Sequence, residues 1–240
     1  MKIIHPDWPV ASRVHAACST RIGGVSPEPY QSLNLATHVG DDAGRVKKNR
    51  MLFAQALDLP SEPVWLDQTH SHWVIDAGRH ASDRMADASF TTQPEVVCAV
   101  LTADCLPVLF SSDDGQTVAA AHGGWRGLLN GILDHTVDAL PASNLMVWLG
   151  PAIGPDCFEV GAEVRNAFVK RSIEYNCAFR EGLSGKYWAD IYQIARINLA
   201  MLNITAIFGG DFCTVTDKER FFSYRREGET GRMATVIWRD

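Results

Sequence analysis

Apolar and polar positions alternate along this chain in two distinct ways, and the two periods divide it into elements. "VHAACST" (14–20) reads as a short strand. "RIGGVSPEPY" (21–30), with paired glycines and two prolines, reads as a loop. Over 41–59 the period lengthens: Val46, Phe53 and Leu57 fall near one face, Asp41 or Asp42 can cap the start, and Pro60 and Pro63 end the helix. Strands are then expected at 63–70 and 72–77, either side of Ser71, and in the Val- and Leu-rich runs 96–102 and 105–111. Another is expected at 115–122, after a turn at Asp113, Asp114 and Gly115.

Leu128, Ile132 and Val137 predict one helix over 126–140. A strand follows at 145–150. Helices are predicted at 161–171 and 190–202, the second capped by Asp190. The end, 221–238, reads as a hairpin around a glycine-containing turn. Strands follow one another directly, without a βαβα rhythm, so the expected class is α+β with mixed sheets. No Pro-, Gly- or Ser-rich linker cuts the sequence, and we expect a single domain over 1–240.

Composition narrows the function classes. Of 240 residues, 46% are hydrophobic and 21% charged, with a formal net charge of -6 and no block of Lys and Arg. Neither nucleic acid nor an anionic membrane is an expected partner. "MKIIHPDWPV" has no long apolar stretch and meets Pro6 early, so we expect no signal peptide, no membrane span and a cytoplasmic location. Six cysteines without a C-x-x-C pair fit reduced thiols, one of them a candidate ligand or nucleophile. The pattern sets no oligomeric state. There is no G-x-G-x-x-G after a strand, no Walker A and no G-x-S-x-G, which argues against a Rossmann enzyme, a P-loop NTPase and an α/β-hydrolase.

The candidate chemistry sits at strand ends. His70 ends "WLDQTH", Cys105 opens the run after "LTAD", and His122 ends "TVAAAH". Imidazole and thiolate are the donors Zn²⁺ prefers, and three protein ligands with a fourth position open is the pattern of a catalytic site. The same residues also read as a core cysteine and two satisfied histidines, and spacing alone does not choose. In "HGGWRG" the histidine is followed by Gly123, Gly124 and Arg126 at a helix start, which suits either an anion or a tight turn. "SYRREGETGR" adds Arg225, Arg226 and Arg232, guanidinium groups able to grip phosphate.

From about Cys18 onward, "CSTRIGGVS", "SLNLATHVGDD", "WLDQTH", "DASFTT", "LTADCLPVLF", "AAAHGGWRG", "LGPAIGP", "FGGDFCT" and "FFSYRREGETGRMATVIW" resemble the YfiH-like laccase-domain family. The resemblance implies a four-layer helix/sheet/sheet/helix fold, like that of cytotoxic-necrotising-factor-type cysteine hydrolases. It implies a His70–Cys105–His122 zinc site, with Cu²⁺ as an alternative ion. It also implies phosphorolysis of adenosine, inosine and methylthioadenosine with phosphate as co-substrate, and adenosine deamination beside it. The family has also been called polyphenol oxidase, and some members are tied to editing of peptidoglycan precursors.

Phosphorolysis needs groups for phosphate and for the ribose or base; Arg50, Arg126 and Arg225 are candidates for binding, as is Asn34, an amide between two leucines. Deamination needs an acid/base, and Asp104 beside Cys105 is the carboxylate in place, although it also suits a turn. The H-x-E and P-C-x-x-C signature of cytidine-type deaminases is missing. A multicopper oxidase is excluded, because "HSH" (70–72) is the lone H-x-H among eight histidines. Two further classes use the same residues: a metal-free hydrolase with Cys105 as nucleophile and His122 as base, and a zinc-stabilised interaction module.

Overall fold

The computed structural model describes residues 1–79 and 84–240. Among these, the strands in chain order are β1 (Ile3–Ile4), β2 (Val14–Ser19), β3 (Val74–Asp76), β4 (Ala88–Thr91), β5 (Cys98–Thr102), β6 (Leu106–Ser112), β7 (Val118–Gly123), β8 (Leu145–Leu149), β9 (Glu159–Val160), β10 (Phe179–Glu181), β11 (Tyr187–Ala189), β12 (Ala206–Gly209) and β13 (Met233–Arg239). The helices are α1 (Ala43–Ala56), α2 (Trp125–Leu129), α3 (Ile132–Ala139), α4 (Ala162–Arg171), α5 (Ile191–Met201) and α6 (Tyr224–Glu227).

One sheet runs β1-β2-β13-β5, antiparallel throughout, and a larger one runs β12-β8-β6-β7-β4-β3. In the larger sheet the pairs β12–β8 and β3–β4 are parallel and the rest antiparallel. A small sheet, β10-β11-β9, stands apart. Alternation along each strand explains how these pack. Phe53 of α1 joins Ala99, Leu101 and Val236 on one face of the first sheet. Their neighbours Cys98, Val100 and Ile237 point the other way, toward Leu109, Val118 and Trp148 of the larger sheet. Val108 and Phe110 then face Leu128, Ile132, Phe168 and Leu199 of the helices beyond. The result is helix, sheet, sheet, helix, in agreement with the expected mixed α+β class. β6, β7 and β13 are buried on both faces, which is why they read as unbroken apolar runs.

Several expectations are corrected. The stretch 63–70 makes only an isolated bridge, Val64 with Cys98. The Gln68 amide instead takes a strand's place: it donates to Leu101 O at 2.8 Å and accepts from Leu101 N at 2.7 Å, covering the edge of β5. Of 72–77, only β3 is strand. The helix expected over 126–140 is two, α2 and α3, broken at Gly131 with φ 89°. The expected terminal hairpin is absent. α6, capped by Ser223, replaces its first arm, and β13 pairs with β2 and β5 far away in sequence. β4, β12 and the small sheet had no counterpart in the reading of the pattern. The caps hold: Asp42 accepts from Arg45 N and Asp190 from Gln193 N. No helix among the described residues is long and apolar enough to cross a membrane.

Candidate metal centre

The site is built around a carboxylate to which the sequence reading gave no role. Asp87 lies just before β4 and is fully buried. β4 pairs antiparallel with β7 and so delivers His122 to it: His122 N donates to Asp87 O at 2.7 Å, and Nδ1 meets Oδ1 at 2.7 Å. The same carboxylate gathers the turn before β3, accepting from the backbone N–H groups of Thr69, His70 and Ser71 and from the Ser71 hydroxyl. That grip holds His70 at φ 61°, left-handed backbone that a histidine rarely adopts. Burial works against charge on Asp87, but His122 and Ser71 outweigh it and hold the carboxyl down at about 2.

Cys105 enters from the third side, at the start of β6. Its Sγ lies 3.7 Å from His70 Nε2. The ligand atoms of His70, Cys105 and His122 all fall within 4.8 Å of one another. Asp87 takes Nδ1 of His122, which leaves Nε2 as its lone-pair nitrogen. Burial raises the Cys105 thiol, yet the charge on His122 and hydrogen bonds with both imidazoles bring it down to about 6. A thiolate and two imidazoles are the donor set of a three-ligand zinc site. With Zn–S near 2.3 Å and Zn–N near 2.0 Å, a tetrahedral ion would hold S and N about 3.5 Å apart, close to the separation found. Gly124 makes room for this approach. A Cβ there would lie 2.5 Å from His70 Cδ2 and 3.3 Å from Cys105 Sγ. The donor set, its spacing and this cleared space fit a metal ion.

The other residues singled out by the sequence take varied positions. Asp104 adjoins Cys105 at φ 91°, and its carboxylate accepts from the Thr214 hydroxyl at 2.6 Å and from Arg225 N at 2.7 Å. Asn34 is fully buried and uses both ends of its amide internally, with Ala36, Asp41 and Arg232 N. It organises the loop before α1. Arg225 reaches away from Asp104 to Cys157 O and Glu159 O. Arg126 is exposed and lies over the neighbouring Trp125 ring.

Arg50 stacks on Trp65 with its carbon 4.1 Å from the ring centroid, and its Nε donates to Leu35 O. His38 feels both Arg50 and Arg232, and Arg232 in turn feels Cys105 and Asp104. These three cationic or titratable groups thus share one electrostatic neighbourhood that extends to Cys105. His38 carried no assigned role from sequence; its one signal is a polar residue inside "LATHVGDD".

The chain is also similar to known proteins over nearly its whole length. Residues 15–240 match the family described as multi-copper polyphenol oxidoreductase laccase. The chain is 52% identical over 240 residues to "Purine nucleoside phosphorylase YfiH" of Shigella flexneri, covering 99% of this chain and 98% of that protein. To a purine nucleoside phosphorylase of Pseudomonas aeruginosa it is 50% identical, covering 97% and 96%. Among solved structures, a Neisseria meningitidis protein of the DUF152 family superposes with a TM-score of 0.96 at 46% identity over 100% of both chains. The layered fold, the clustered His70, Cys105 and His122, and these matches together make the chain a member of the YfiH-type laccase-domain family.

Proposed function

We propose that this chain is a metal-dependent purine nucleoside phosphorylase, with His70, Cys105 and His122 as the ligands of Zn²⁺. The observation that carries the reading is the triad itself, oriented by Asp87 and closely approached by the backbone of Gly124. The relatives named purine nucleoside phosphorylase, half identical over nearly the full length, support the reaction class. When bound, Zn²⁺ supplies a Lewis acid with an open coordination position, which suits adenosine deamination as a second reaction.

In phosphorolysis, a phosphate oxygen attacks C1′ of the ribose, the bond from C1′ to the base breaks, and the base takes up a proton. Arg50 suits the phosphate, because its terminal nitrogens hold no hydrogen bond among the described residues. Arg126, exposed beside the Gly123–Gly124 turn, is a second contact. Asn34 and Arg225 act by position, since their polar groups are engaged within the protein. Asp104 likewise orients Cys105, through Thr214 and Arg225 N.

A second reading has its own support. The lowered Cys105 thiol beside two imidazoles also suits a metal-free thiol hydrolase acting on a cell-wall precursor. Protein purified without added metal separates the two. The expected result is stoichiometric zinc, and phosphate-dependent release of free base with ribose 1-phosphate from adenosine, inosine or methylthioadenosine. Metal-free protein with no phosphate-dependent base release would overturn the reading. In the same assay, rising phosphate should lower the initial rate of inosine formation from adenosine while adenine release climbs.

A further inference from the structure

A cleft of about 500 Å³ lies between α5 and the loop after β12. Gly209 and Gly210 shape it, both in left-handed backbone at φ 69° and 86°, which glycine adopts without strain. The bend brings Arg196 of α5 close to the chain. Its Nη2 donates to Gly209 O at 2.6 Å, and a Cβ on Gly210 would lie 2.8 Å from that nitrogen. Tyr192, one turn earlier on α5, joins the turn at 150–152 to the same loop. Its hydroxyl accepts from Ala152 N at 2.8 Å and lies within hydrogen-bond distance of Gly150 O and Phe212 O.

The charges lining the cleft divide into committed and uncommitted ones. Arg220 pairs with Asp217 and lies over the rings of Phe212 and Phe221. Asp190 accepts from Gln193 N as the cap of α5. Arg196 and Asp211 remain. Among the described residues Arg196 forms no ion pair, and the Asp211 carboxylate forms neither an ion pair nor a hydrogen bond. Gly209 O holds Arg196 in place, so the two line one space without neutralising each other. A cation and an anion held apart in this way suit a ligand that carries both charges.

The cleft also borders the candidate metal centre. Two of its lining residues, Gly154 and Cys213, meet through Gly154 N and the Cys213 sulfur at 3.3 Å. The residue beside each of them holds Asp104. Ile153 N donates to Asp104 O at 2.9 Å, and the Thr214 hydroxyl donates to the Asp104 carboxylate at 2.6 Å. Cys105 is the next residue in the chain.

We propose that this cleft binds an α-amino acid, its carboxylate on Arg196 and its ammonium on Asp211, and that the occupant is felt through Asp104 at the metal centre. The binding site stands whatever reaction the triad performs; the coupling rests on the triad holding a metal. Coupling is reciprocal, so amino acid and metal change each other's affinity by one factor.

The test is calorimetry on the full chain, with and without metal, against a panel of proteinogenic L-amino acids. At least one should bind. Its methyl ester, which lacks the carboxylate, and its N-acetyl derivative, which lacks the ammonium, should each bind about tenfold more weakly or worse. Arg196→Gln and Asp211→Asn should weaken binding of the amino acid likewise. Asp211 is exposed, so its variant remains informative even if Arg196→Gln folds poorly. Peptide mapping after brief alkylation places the ligand: it should protect Cys213, which lines the cleft, and leave the exposed Cys177 unchanged. Chelator competition should show metal affinity shifted about fivefold or more by the bound amino acid. No binding, binding untouched by either variant, or binding that leaves Cys213 unprotected would overturn the site. Binding in the cleft with unchanged metal affinity would overturn the coupling.

Discussion

Asp87 carries more of the site than any candidate ligand does, because a single buried carboxylate orients both histidines of the triad. In Asp87→Asn one oxygen becomes an NH₂ group facing donors. We expect metal affinity to fall about 10- to 100-fold, and stability to drop by about 3 kcal/mol. Chelator competition reads the first and denaturant unfolding the second; unchanged affinity would remove Asp87 from the centre. Each of His70→Ala, Cys105→Ala and His122→Ala should lose metal and turnover together, and full zinc occupancy in all three would dismiss the triad. The three candidate ligands were legible in the sequence as reactive side chains at element ends, and the structure brings them together. Asp87 was not, because "DASFTT" shows only a polar residue before a strand. Its burial follows from the pairing of β4 with β7, which local pattern does not contain. Asn34 shows the same gap from the other direction. Its cost between two leucines was visible, but its partners Asp41 and Arg232 were not.

The turn from β7 into α2 brings the site within reach of the helix layer, and Gly124 is its tightest point. Gly124→Ala should fold normally, since the exposed His70 ring can swing aside, yet bind metal roughly tenfold more weakly. Wild-type affinity in a folded Gly124→Ala protein would mean that His70 does not hold the ion from this position. Gly131 has a different importance. At φ 89° it ends one helix and begins the next, so Gly131→Ala should lower stability by about 1 kcal/mol or more, read as a drop in Tm. The signal for this break was present in "LLNGIL", but an apolar stripe continues through it. Periodicity registers which face is buried and misses a change of direction that preserves the face. The terminal segment misled for a related reason: alternation identified β13 as a strand but could not name its partners.

Distant segments are joined through a few charged side chains, and Glu227 is the clearest. It binds Arg21, Arg226 and the Thr230 hydroxyl. Burial raises its carboxyl, but these partners prevail and hold it below the ordinary value of 4.5. A depressed folded pKa gives stability that is present above about pH 4.5 and lost as pH falls through the lower folded value. Glu227→Gln should therefore cost about 1–3 kcal/mol near pH 7, and the gap from the unaltered protein should narrow below about pH 4.5. Urea midpoints across that range measure it, and a constant gap would assign the loss to something other than this charge. The α+β class was legible at this scale because strands follow strands. The stacking of two sheets came from the family resemblance and not from the pattern itself, since the order β12-β8-β6-β7-β4-β3 arises from pairings between remote segments. One of those remote pairings also orders events in time. β5, which leads through Asp104 to Cys105, has β13 as its strand partner in the first sheet. A ribosome that has already translated all three ligands has therefore not yet made the strand that steadies one of them. Metal capture should follow synthesis of β13, and nascent chains stalled before Met233 should remain protease-sensitive even with zinc supplied.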